Sequence, residues 1–199
     1  MPRWLEVALA ATGLIVFAPA ALIIAWAIRR EDGGPVFFRQ ERVGLRGRPF
    51  AILKFRTMSE DGAGQLITAR DDPRVTRVGR FLRRTKLDEV PQLWNVVRGE
   101  MSFVGPRPEV AKYVALYTPE QRQVLEFRPG ITDEASLAYR DEEAMLAAQA
   151  DPEVFYVREL LPAKIVLNLE YQRRRTVWTD VGVILRTVLG SRGDPARRP

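Results

Sequence analysis

Two neighbouring acids, Asp88 and Glu89, are the side chains of this sequence best placed to do chemistry. They precede a short apolar run at helical spacing, residues 90–97, and Pro91 fits only the first turn of a helix, so Asp88 is predicted to cap it. A carboxylate there faces unsatisfied N–H groups and the positive end of the helix dipole, which favours its ionised form and a phosphate nearby. Two interpretations stay open: an ordinary capping pair, or a nucleophile with a neighbour that orients it or binds a metal.

Cations lie on both sides of this acidic pair in the sequence. Arg83 and Lys86 precede it, and Arg107 follows it between Pro106 and Pro108. Two prolines fix the backbone around the guanidinium of Arg107, which suits bidentate recognition of a phosphate. Together these residues predict a phosphate site around the acidic pair.

The composition limits which chemistry this site can use. The chain has 199 residues, enough for one domain, and it contains neither Cys nor His. Disulfides and thiolate metal sites are therefore excluded, and catalysis must use carboxylates, Lys, Tyr, Ser or metal-bound water. The net charge of +6 predicts an anionic partner, namely a nucleic acid, a phosphorylated substrate or a lipid surface.

Two β-rich runs predict a hairpin that supplies further cations. Val36–Val43 and Pro49–Met58 flank five residues rich in Gly and Arg. Lys54 and Arg56 alternate with apolar residues in the second run, so both are predicted on one face. They are interpreted either as solvated strand charges or as phosphate contacts.

The block that begins at the acidic pair resembles the signature of the bacterial sugar transferases, the small monotopic phosphoglycosyl transferases. The matching residues are Asp88-Glu89-x-Pro91-Gln92-Leu93-x-Asn95-Val96 and Gly99-Glu100-Met101-Ser102-x-Val104-Gly105-Pro106-Arg107-Pro108. Residues 54–58, 80–85 and 128–132 match further blocks of that family in the same order. The resemblance covers the chain from about residue 30 to residue 190.

The resemblance implies an α+β, mainly α fold. Residues 1–30 would form a membrane-embedded helix, and residues 31–190 would form a cytoplasmic catalytic domain with the β-hairpin and interfacial amphipathic helices. Residues 191–199 are predicted to be a disordered basic tail. The implied location is the bacterial inner membrane, with the catalytic domain on its cytoplasmic face.

The resemblance also implies a reaction. A sugar 1-phosphate would move from a nucleoside diphosphate sugar, most often a UDP-sugar, to a polyprenyl phosphate such as undecaprenyl phosphate. This is the first membrane step in the synthesis of an exopolysaccharide, O-antigen, capsule or glycoprotein glycan. Self-association into a homodimer is an open expectation.

Roles within the site follow from the same resemblance. Asp88 would attack the sugar-linked phosphorus and carry the phosphosugar covalently, while Glu89 would orient it, and the two acids would hold a Mg²⁺. The predicted phosphate-binding residues are Arg83, Arg107, Arg140, Lys54 and Arg56. After Thr132 the family commonly continues with Gly, whereas this chain has Asp133-Glu134, which makes the local backbone and the sugar contacts uncertain expectations.

An apolar run near the start predicts contact with a membrane. The 22 residues from Val7 to Ile28 carry no charge and would make a helix of roughly 33 Å, about the thickness of a bilayer core. The run is interpreted as a membrane span, as a re-entrant helix broken near Pro19, or as a cleaved signal peptide, the last being the least favoured. The resemblance implies the re-entrant helix.

The remaining patterns predict one mobile loop and several helices. Ser59–Asp72 is polar and rich in Gly, as in a lid. Helices are predicted over Glu109–Phe127, interrupted near Thr118, and over Asp151–Thr176, broken at Pro162. Thr179-Asp180 is predicted to cap a helix over Val181–Leu189, which is interpreted either as an interfacial helix or as a helix packed on the protein core.

A protein without catalysis is the alternative. A membrane-tethered basic module would bind nucleic acid or anionic lipid through Arg70–Arg84. That segment adjoins the acidic pair and lacks aromatic residues at regular intervals, so lipid phosphates and a substrate diphosphate are favoured over a nucleic acid. A phosphodiesterase that hydrolyses the nucleotide sugar is a further alternative among enzymes.

Overall fold

The structure, a computed structural model, describes residues 1–59 and 72–190. The predicted lid at Ser59–Asp72 lies almost wholly outside the described residues, as do Arg70 and the predicted tail at residues 191–199.

The described chain is mainly helical, with two small sheets of two strands each, which confirms the predicted fold class. The strands are β1 (Phe37–Val43), β2 (Pro49–Phe55), β3 (Ser102–Val104) and β4 (Gly130–Thr132). The helices are α1 (Arg3–Asp32), α2 (Arg77–Thr85), α3 (Gln92–Val97), α4 (Ala111–Val114), α5 (Glu134–Ala138), α6 (Glu142–Ala147), α7 (Pro152–Phe155), α8 (Leu161–Arg173) and α9 (Val177–Val188).

The predicted hairpin is confirmed, with a second strand that ends at Phe55 rather than at Met58. Strands β1 and β2 pair antiparallel with Phe37 opposite Phe55, and the two rings stack with their centroids 5.5 Å apart. In the connecting loop, Arg46 and Gly47 have φ angles of 55° and 74°, which turn the chain back on itself. The hairpin therefore provides a hydrogen-bonded support for the predicted site.

Helix α1 packs along the domain through one stripe of small and apolar residues. Ala10 is fully buried beside Val96 in the cluster that includes α3 and β2. Further along, Ile28 is buried against Phe55 and Leu82, together with the partly buried residues Phe17, Ala21 and Ile24. These positions recur at intervals of three and four, so a single face of the helix contacts the domain on both sides of Pro19.

The same helix leaves its opposite face uncovered. Its helical hydrogen bonding is assigned from Arg3 to Asp32 with Pro19 inside it. Among the described residues it is the one helix long and apolar enough to cross a membrane, judged by length and composition alone. The exposed residues of this face include Trp4, Ile15, Val16, Leu22, Ile23 and Trp26. These features agree with membrane association, while re-entry at Pro19 stays a prediction.

The prediction of one interrupted helix over Glu109–Phe127 is wrong. Helix α4 contains four residues, and a 3₁₀ segment occupies Gln121–Glu126. The predicted interruption is present, since the Thr118 hydroxyl accepts a hydrogen bond from the Gln121 amide at 3.3 Å. Tyr113, Val114 and Tyr117 bury their side chains in the largest core cluster, so tertiary packing, not helix length, orders this segment.

The two C-terminal helices differ from prediction in how they begin. A π-helical turn at Tyr156–Leu160 lets the chain pass into α8, with Pro162 in its first turn instead of breaking it. Helix α9 begins earlier than predicted, because Thr176 and Thr179 form a reciprocal capping box. Asp180 is therefore not a cap: it lies inside α9 and is fully buried.

Candidate active site

A tight turn between α2 and α3 carries the acidic pair. Lys86 ends α2 with a φ of 59°, uncommon for a residue with a side chain, and the chain then forms a 3₁₀ turn over Leu87–Glu89. The predicted capping role of Asp88 is wrong, since α3 begins at Gln92 after Pro91 and no side chain caps it. Gly99, with a φ of 86°, follows the end of α3 as predicted.

Helix α3 is fixed by an amide that the periodicity did not reveal. The Asn95 side chain donates to the Ala51 carbonyl at 2.8 Å and accepts from the Leu53 amide at 3.1 Å. This pair of hydrogen bonds fastens α3 to β2, so Asn95 is buried and Trp94 is about half exposed. The predicted buried stripe is therefore wrong at Trp94, because strand β2 contacts the neighbouring face.

Asp88 is buried, and one of its carboxylate oxygens is buried without a hydrogen-bond partner in the described part of the chain. It is 8% exposed, and its Oδ1 has no hydrogen-bond partner among residues 1–59 and 72–190. Burial raises the pKa of Asp88 above its ordinary value, Lys54 opposes that shift, and Glu89 adds to it. Buried carboxylates usually satisfy their oxygens, so this unpaired atom is typical of a group kept for a ligand or a reaction.

Glu89, one residue later, is held in its ionised form. The Lys54 ammonium donates to Glu89 Oε1 at 2.7 Å, and an Arg107 nitrogen lies 3.5 Å from the same oxygen. Burial alone would raise the pKa of Glu89, but Lys54 and Arg107 hold it at about 2. Burial lowers the pKa of Lys54, and the charge of Glu89 offsets part of that effect. Two adjacent acids thus have opposite shifts, which is typical of sites where they play different parts.

The loop that presents Arg107 is fixed by contacts that sequence analysis missed. Arg42 on β1 donates to the Pro108 carbonyl at 3.2 Å and lies 3.8 Å from the Glu109 carboxylate. Glu109 also accepts a hydrogen bond from the Tyr156 hydroxyl. A cation at an inward position of β1 was the signal in the sequence, but its partner lies 67 positions away by residue number.

Two glycines bring this loop against the turn that follows Pro129. Strands β3 and β4 pair in parallel, with Ser102 opposite Gly130. A Cβ atom on Gly130 would lie 2.1 Å from the Gly105 nitrogen, and one on Gly105 would lie 2.3 Å from the Arg128 carbonyl oxygen. Only glycine permits so close an approach of two backbones, which explains both positions.

Arg83 lies near the acidic pair, as predicted. Its Nε donates to Thr57 Oγ1 at 3.0 Å, and its Nη1 is 4.0 Å from Glu143. The Arg83 charge lowers the pKa of Asp88, as does that of Lys86. The hairpin, α2 and the loop after β3 thus bring Lys54, Arg83 and Arg107 around the two acids.

Arg56 and Arg140 contact other parts of the protein. The strand ends at Phe55, and the buried Arg56 pairs with Asp32 at the end of α1 and donates to the Pro35 carbonyl at 2.7 Å. Arg140 donates to the Gly190 carbonyl just beyond α9. Lys54 and Arg56 therefore reach different partners instead of sharing one target. Their roles in phosphate binding stay predictions.

The unusual residues after Thr132 start a helix. Asp133 caps α5 by accepting from the Ser136 amide at 2.8 Å and from its hydroxyl at 2.7 Å. Glu134 pairs with Arg174 at 2.9 Å and lies 3.7 Å from Arg186. Asp133 thus starts α5, and Glu134 ties α5 to the end of α8 and to α9.

The chain that forms this site is similar to known proteins. Residues 1–191 match the family described as bacterial sugar transferase. The chain belongs to that family.

Three relatives of this family cover most of the chain. A UDP-glucose:undecaprenyl-phosphate glucose-1-phosphate transferase of Caulobacter vibrioides is 41% identical over 191 residues, covering 94% of this chain and 67% of the relative. The Escherichia coli protein of the same name is 36% identical, over 92% and 38% of the two chains. A galactosyl transferase, CpsE, of Streptococcus agalactiae is 33% identical, over 94% and 41%. This sugar transferase chain thus spans two thirds of the first relative and about two fifths of the other two.

The acidic turn of this sugar transferase offers few protein ligands to a metal. In the described part of the chain there is no group of three or more carboxylates that could enclose an ion. Asp88 Oδ1 has no hydrogen-bond partner among the described residues, whereas Glu89 Oε1 already contacts Lys54 and Arg107. Mg²⁺ commonly takes one or two carboxylates and completes its shell with water and phosphate oxygens. The residues present fit that pattern and do not fit an all-protein cage.

The site combines a carboxylate that can act as a nucleophile with cations that can bind an anion. One carboxylate has an unengaged oxygen, and it lies beside cations whose positions are fixed by Glu89, Thr57 and the Pro-Arg-Pro loop. Fixed cations stabilise negative charge as it develops, at little cost in reorganisation. The geometry of this sugar transferase site therefore suits substitution at a phosphorus atom.

Proposed function

We propose that this protein transfers a sugar 1-phosphate from a nucleoside diphosphate sugar to a polyprenyl phosphate. The observation that carries the proposal is the buried Asp88 carboxylate. Its Oδ1 has no hydrogen-bond partner among the described residues, and it adjoins the cluster of Glu89, Lys54 and Arg107. Membership of the sugar transferase family supports it. Relatives named for UDP-glucose and undecaprenyl phosphate indicate the donor and acceptor to test first.

The proposed reaction has two steps. In the first, an oxygen of Asp88 forms a bond to the sugar-linked phosphorus, and the bond from that phosphorus to the bridging diphosphate oxygen breaks. The nucleoside monophosphate leaves with the electron pair, and the phosphosugar stays on Asp88 as an acyl phosphate. In the second, an oxygen of the polyprenyl phosphate attacks the same phosphorus, and the Asp88 carboxylate is released.

The surrounding side chains have distinct parts in this reaction. An ionised carboxylate needs no base to attack, which suits a chain without His. Lys54, Arg107 and Arg83 would neutralise the phosphate oxygens that otherwise repel Asp88. Glu89 would fix Lys54 and Arg107 in place, since it contacts both.

Mg²⁺ is proposed as the cofactor. Asp88 and Glu89 would hold it together with substrate phosphate oxygens, because these are the carboxylates of the acidic turn. A bound Mg²⁺ would supply positive charge to the diphosphate and to the departing nucleotide. Chelation with EDTA is expected to abolish turnover, and added Mg²⁺ is expected to restore it. Full turnover in chelator would contradict this part of the proposal.

A membrane surface would bring the two substrates together. The uncovered face of α1 and the exposed apolar residues Trp178, Val188 and Leu189 of α9 would contact lipid. Arg173 and Arg174 lie next to α9 and would contact anionic headgroups. Because nucleotide sugars are cytosolic, the catalytic domain would face the cytoplasm of the bacterial inner membrane. The homodimer stays a prediction.

One experiment tests the proposal and separates its alternatives. Purified protein in detergent is incubated with a panel of UDP-sugars, with and without undecaprenyl phosphate, and release of UMP and formation of lipid-linked product are measured. Lipid-dependent product from at least one donor is the expected result. Equal nucleotide hydrolysis without lipid would indicate a phosphodiesterase, and salt-sensitive binding of nucleic acid without turnover would indicate a binding module.

The covalent intermediate has its own measurement. Protein incubated with donor but without lipid is digested, and the peptide that contains residue 88 is weighed by mass spectrometry. A mass increase of one phosphosugar on that peptide is expected. An unmodified peptide from protein that turns over under the same conditions would refute the aspartyl intermediate.

A further inference from the structure

A small cavity is lined in part by Arg107, the residue that also contacts the acidic turn. Its volume is about 20 Å³, which is room for roughly one water-sized group. Its lining combines apolar residues of the core with Arg107, Lys164 and Asn168. Since Arg107 also lies 3.5 Å from Glu89, the cavity adjoins the site that would hold the phosphates.

One wall of the cavity contains a buried acceptor that is not satisfied. Asn168 is 5% exposed, and its Oδ1 has no hydrogen-bond partner within the two described ranges of the chain. An unpaired buried amide oxygen destabilises the folded protein. The fold therefore tolerates a group here that a ligand can satisfy.

A donor faces the same cavity from one helical turn away. Lys164 and Asn168 are four residues apart on α8 and so lie on one face of that helix. Lys164 is 6% exposed, and it donates to Glu142 at 2.8 Å, which uses one of its three N–H groups. A residue with an unpaired acceptor and a residue with a spare donor thus both line a space of hydroxyl size.

We propose that this cavity receives one hydroxyl or hydroxymethyl group of the donor sugar, which donates to Asn168 Oδ1 and accepts from Lys164. The inference rests on the proposed function. The sugar is joined directly to the phosphorus that Asp88 would attack, whereas the base is separated from it by a second phosphate and a ribose. A cavity that shares Arg107 with the acidic turn therefore suits the sugar, and it would make Asn168 a specificity-determining residue.

The test compares donors that each lack one hydroxyl. The best UDP-sugar from the panel is paired with analogues deoxygenated at single sugar positions and with one whose ribose is deoxygenated, and kcat/KM is measured for each. The wild-type protein is expected to lose about tenfold or more with one deoxy-sugar, as removal of a buried hydrogen bond costs. N168L is expected to lose a similar factor with the full sugar and no longer to distinguish that analogue.

Two further variants control for folding and for general damage. N168D keeps the acceptor and is expected to retain the wild-type discrimination. Q172L removes another amide of α8 that lies outside the cavity, and it is expected to affect all donors equally. Melting temperatures report whether each variant folds.

Three outcomes would overturn the inference. They are wild-type discrimination by N168L, equal use of every deoxy-sugar by the wild-type protein, and a loss that follows the ribose instead of the sugar. If the wild-type protein releases no nucleotide from any donor, the proposed function fails and this inference falls with it. An active wild-type protein with unchanged ratios in N168L refutes the sugar cavity alone.

Discussion

The turn that carries Asp88 and the corner between α8 and α9 that carries Asp180 both bury a carboxylate, and they treat it in opposite ways. Asp180 is fully buried, and it accepts from the N-terminal ammonium of Met1 at 2.7 Å, from the Tyr171 hydroxyl at 2.8 Å and from Arg175 at 2.9 Å. Burial would raise the pKa of Asp180, but the hydrogen bonds from Arg175, the N-terminal ammonium and Tyr171 hold it below its usual value. Within the described ranges, Asp88 has an unpaired oxygen and a raised pKa.

The difference separates two uses of a buried acid. A carboxylate whose oxygens are all engaged stabilises the contact between the elements that supply its partners, as Asp180 does for α8 and α9. A carboxylate with an unpaired oxygen lowers the stability of the fold and remains available to a substrate. Burial alone does not distinguish them, whereas the hydrogen-bond partners do.

The sharpest way to break this comparison is to neutralise each acid in turn. Asp88→Asn is expected to lower lipid-linked product formation by at least ~10³-fold, because the amide cannot act as the nucleophile. Its melting temperature should stay equal to or above that of the wild-type protein, since an unpaired buried charge is removed. Asp88→Glu is expected to keep a trace of activity.

Asp180→Asn is the matched control for that substitution. It should cost roughly 1–3 kcal/mol of folding free energy, because the charge-assisted bonds to Arg175 are weakened. Turnover per folded molecule should stay near the wild-type value. Unchanged turnover in Asp88→Asn, or loss of turnover without loss of stability in Asp180→Asn, would reverse the assignment of the two sites.

Glu89→Gln should affect both stability and turnover. The change leaves the buried Lys54 without its ionised partner, which is expected to cost about 3 kcal/mol. Turnover should fall by about 10²-fold, because Lys54 and Arg107 lose the oxygen that positions them. Chemical denaturation and steady-state rates measure the two effects.

An exposed pair on the surface provides the contrast. Lys112→Met breaks the pair between Lys112 and Glu153, whose side chains are 56% and 46% exposed, and should cost at most ~1 kcal/mol without changing turnover. Adding Lys54→Met to Glu89→Gln should restore part of the stability but not the turnover. Equal costs for the buried and exposed pairs would argue against a preorganised acidic turn.

The pH dependence of the two aspartates should have opposite signs. Asp88 has a folded-state pKa above 3.8, so its charge destabilises the folded protein at neutral pH, and protonation relieves this cost as the pH falls through that raised value. The advantage of Asp88→Asn in melting temperature should therefore be largest at neutral pH and shrink in acid. Asp180 has a lowered pKa, so its contribution is present above pH 3.8 and is lost below it.

Activity should follow the ionised form of Asp88. The ratio kcat/KM is expected to fall on the acid side by up to tenfold per pH unit, with a midpoint above 3.8. Glu89, with a pKa of about 2, should not contribute to that limb. If Glu89→Gln removes the acid limb of kcat/KM while Asp88 is intact, the limb belongs to Glu89, and this result would contradict the prediction.

Two helical glycines, one in each region, extend the comparison to backbone packing. A Cβ on Gly79 of α2 would lie 2.1 Å from the Thr57 carbonyl oxygen, so Gly79→Ala should push α2 from the hairpin and cost roughly 1–3 kcal/mol. On Gly182 of α9 a Cβ would meet nothing within 4 Å, so Gly182→Ala should gain up to ~1 kcal/mol. Thermal unfolding of both variants tests this difference, and equal shifts would contradict it.

Much of the acidic turn could be predicted, because its signal is local. The residues that begin at Asp88 form an ungapped block, and the structure brings Lys54, Arg83 and Arg107 to it. Arg56 and Arg140 were predicted at the same site; their guanidinium groups contact Asp32 and the Gly190 carbonyl, and their roles in phosphate binding stay predictions. The sequence pattern gives the charge and the strand face, whereas a guanidinium on a long side chain can turn toward any nearby acceptor.

The corner between α8 and α9 was predicted poorly for the opposite reason. A threonine followed by an aspartate is typical of a helix start, and Thr179-Asp180 was interpreted as one. The structure uses Thr176 instead, because Asp180 is engaged by Tyr171 of the preceding helix and by Arg175 of the link between the two helices. Local capping preferences cannot anticipate partners that only the folded chain brings near.

The close contact between α1 and α3 gives the first helix a further consequence. A Cβ atom on Gly13 would lie 3.1 Å from the Leu93 side chain, so the two helices are in direct contact at this position. Helix α3 begins four residues after Asp88, and α1 has little freedom to tilt independently of it. A lipid bilayer that sets the height of α1 would therefore set the height of the Asp88 carboxylate as well, and bilayer thickness would act as a control on turnover.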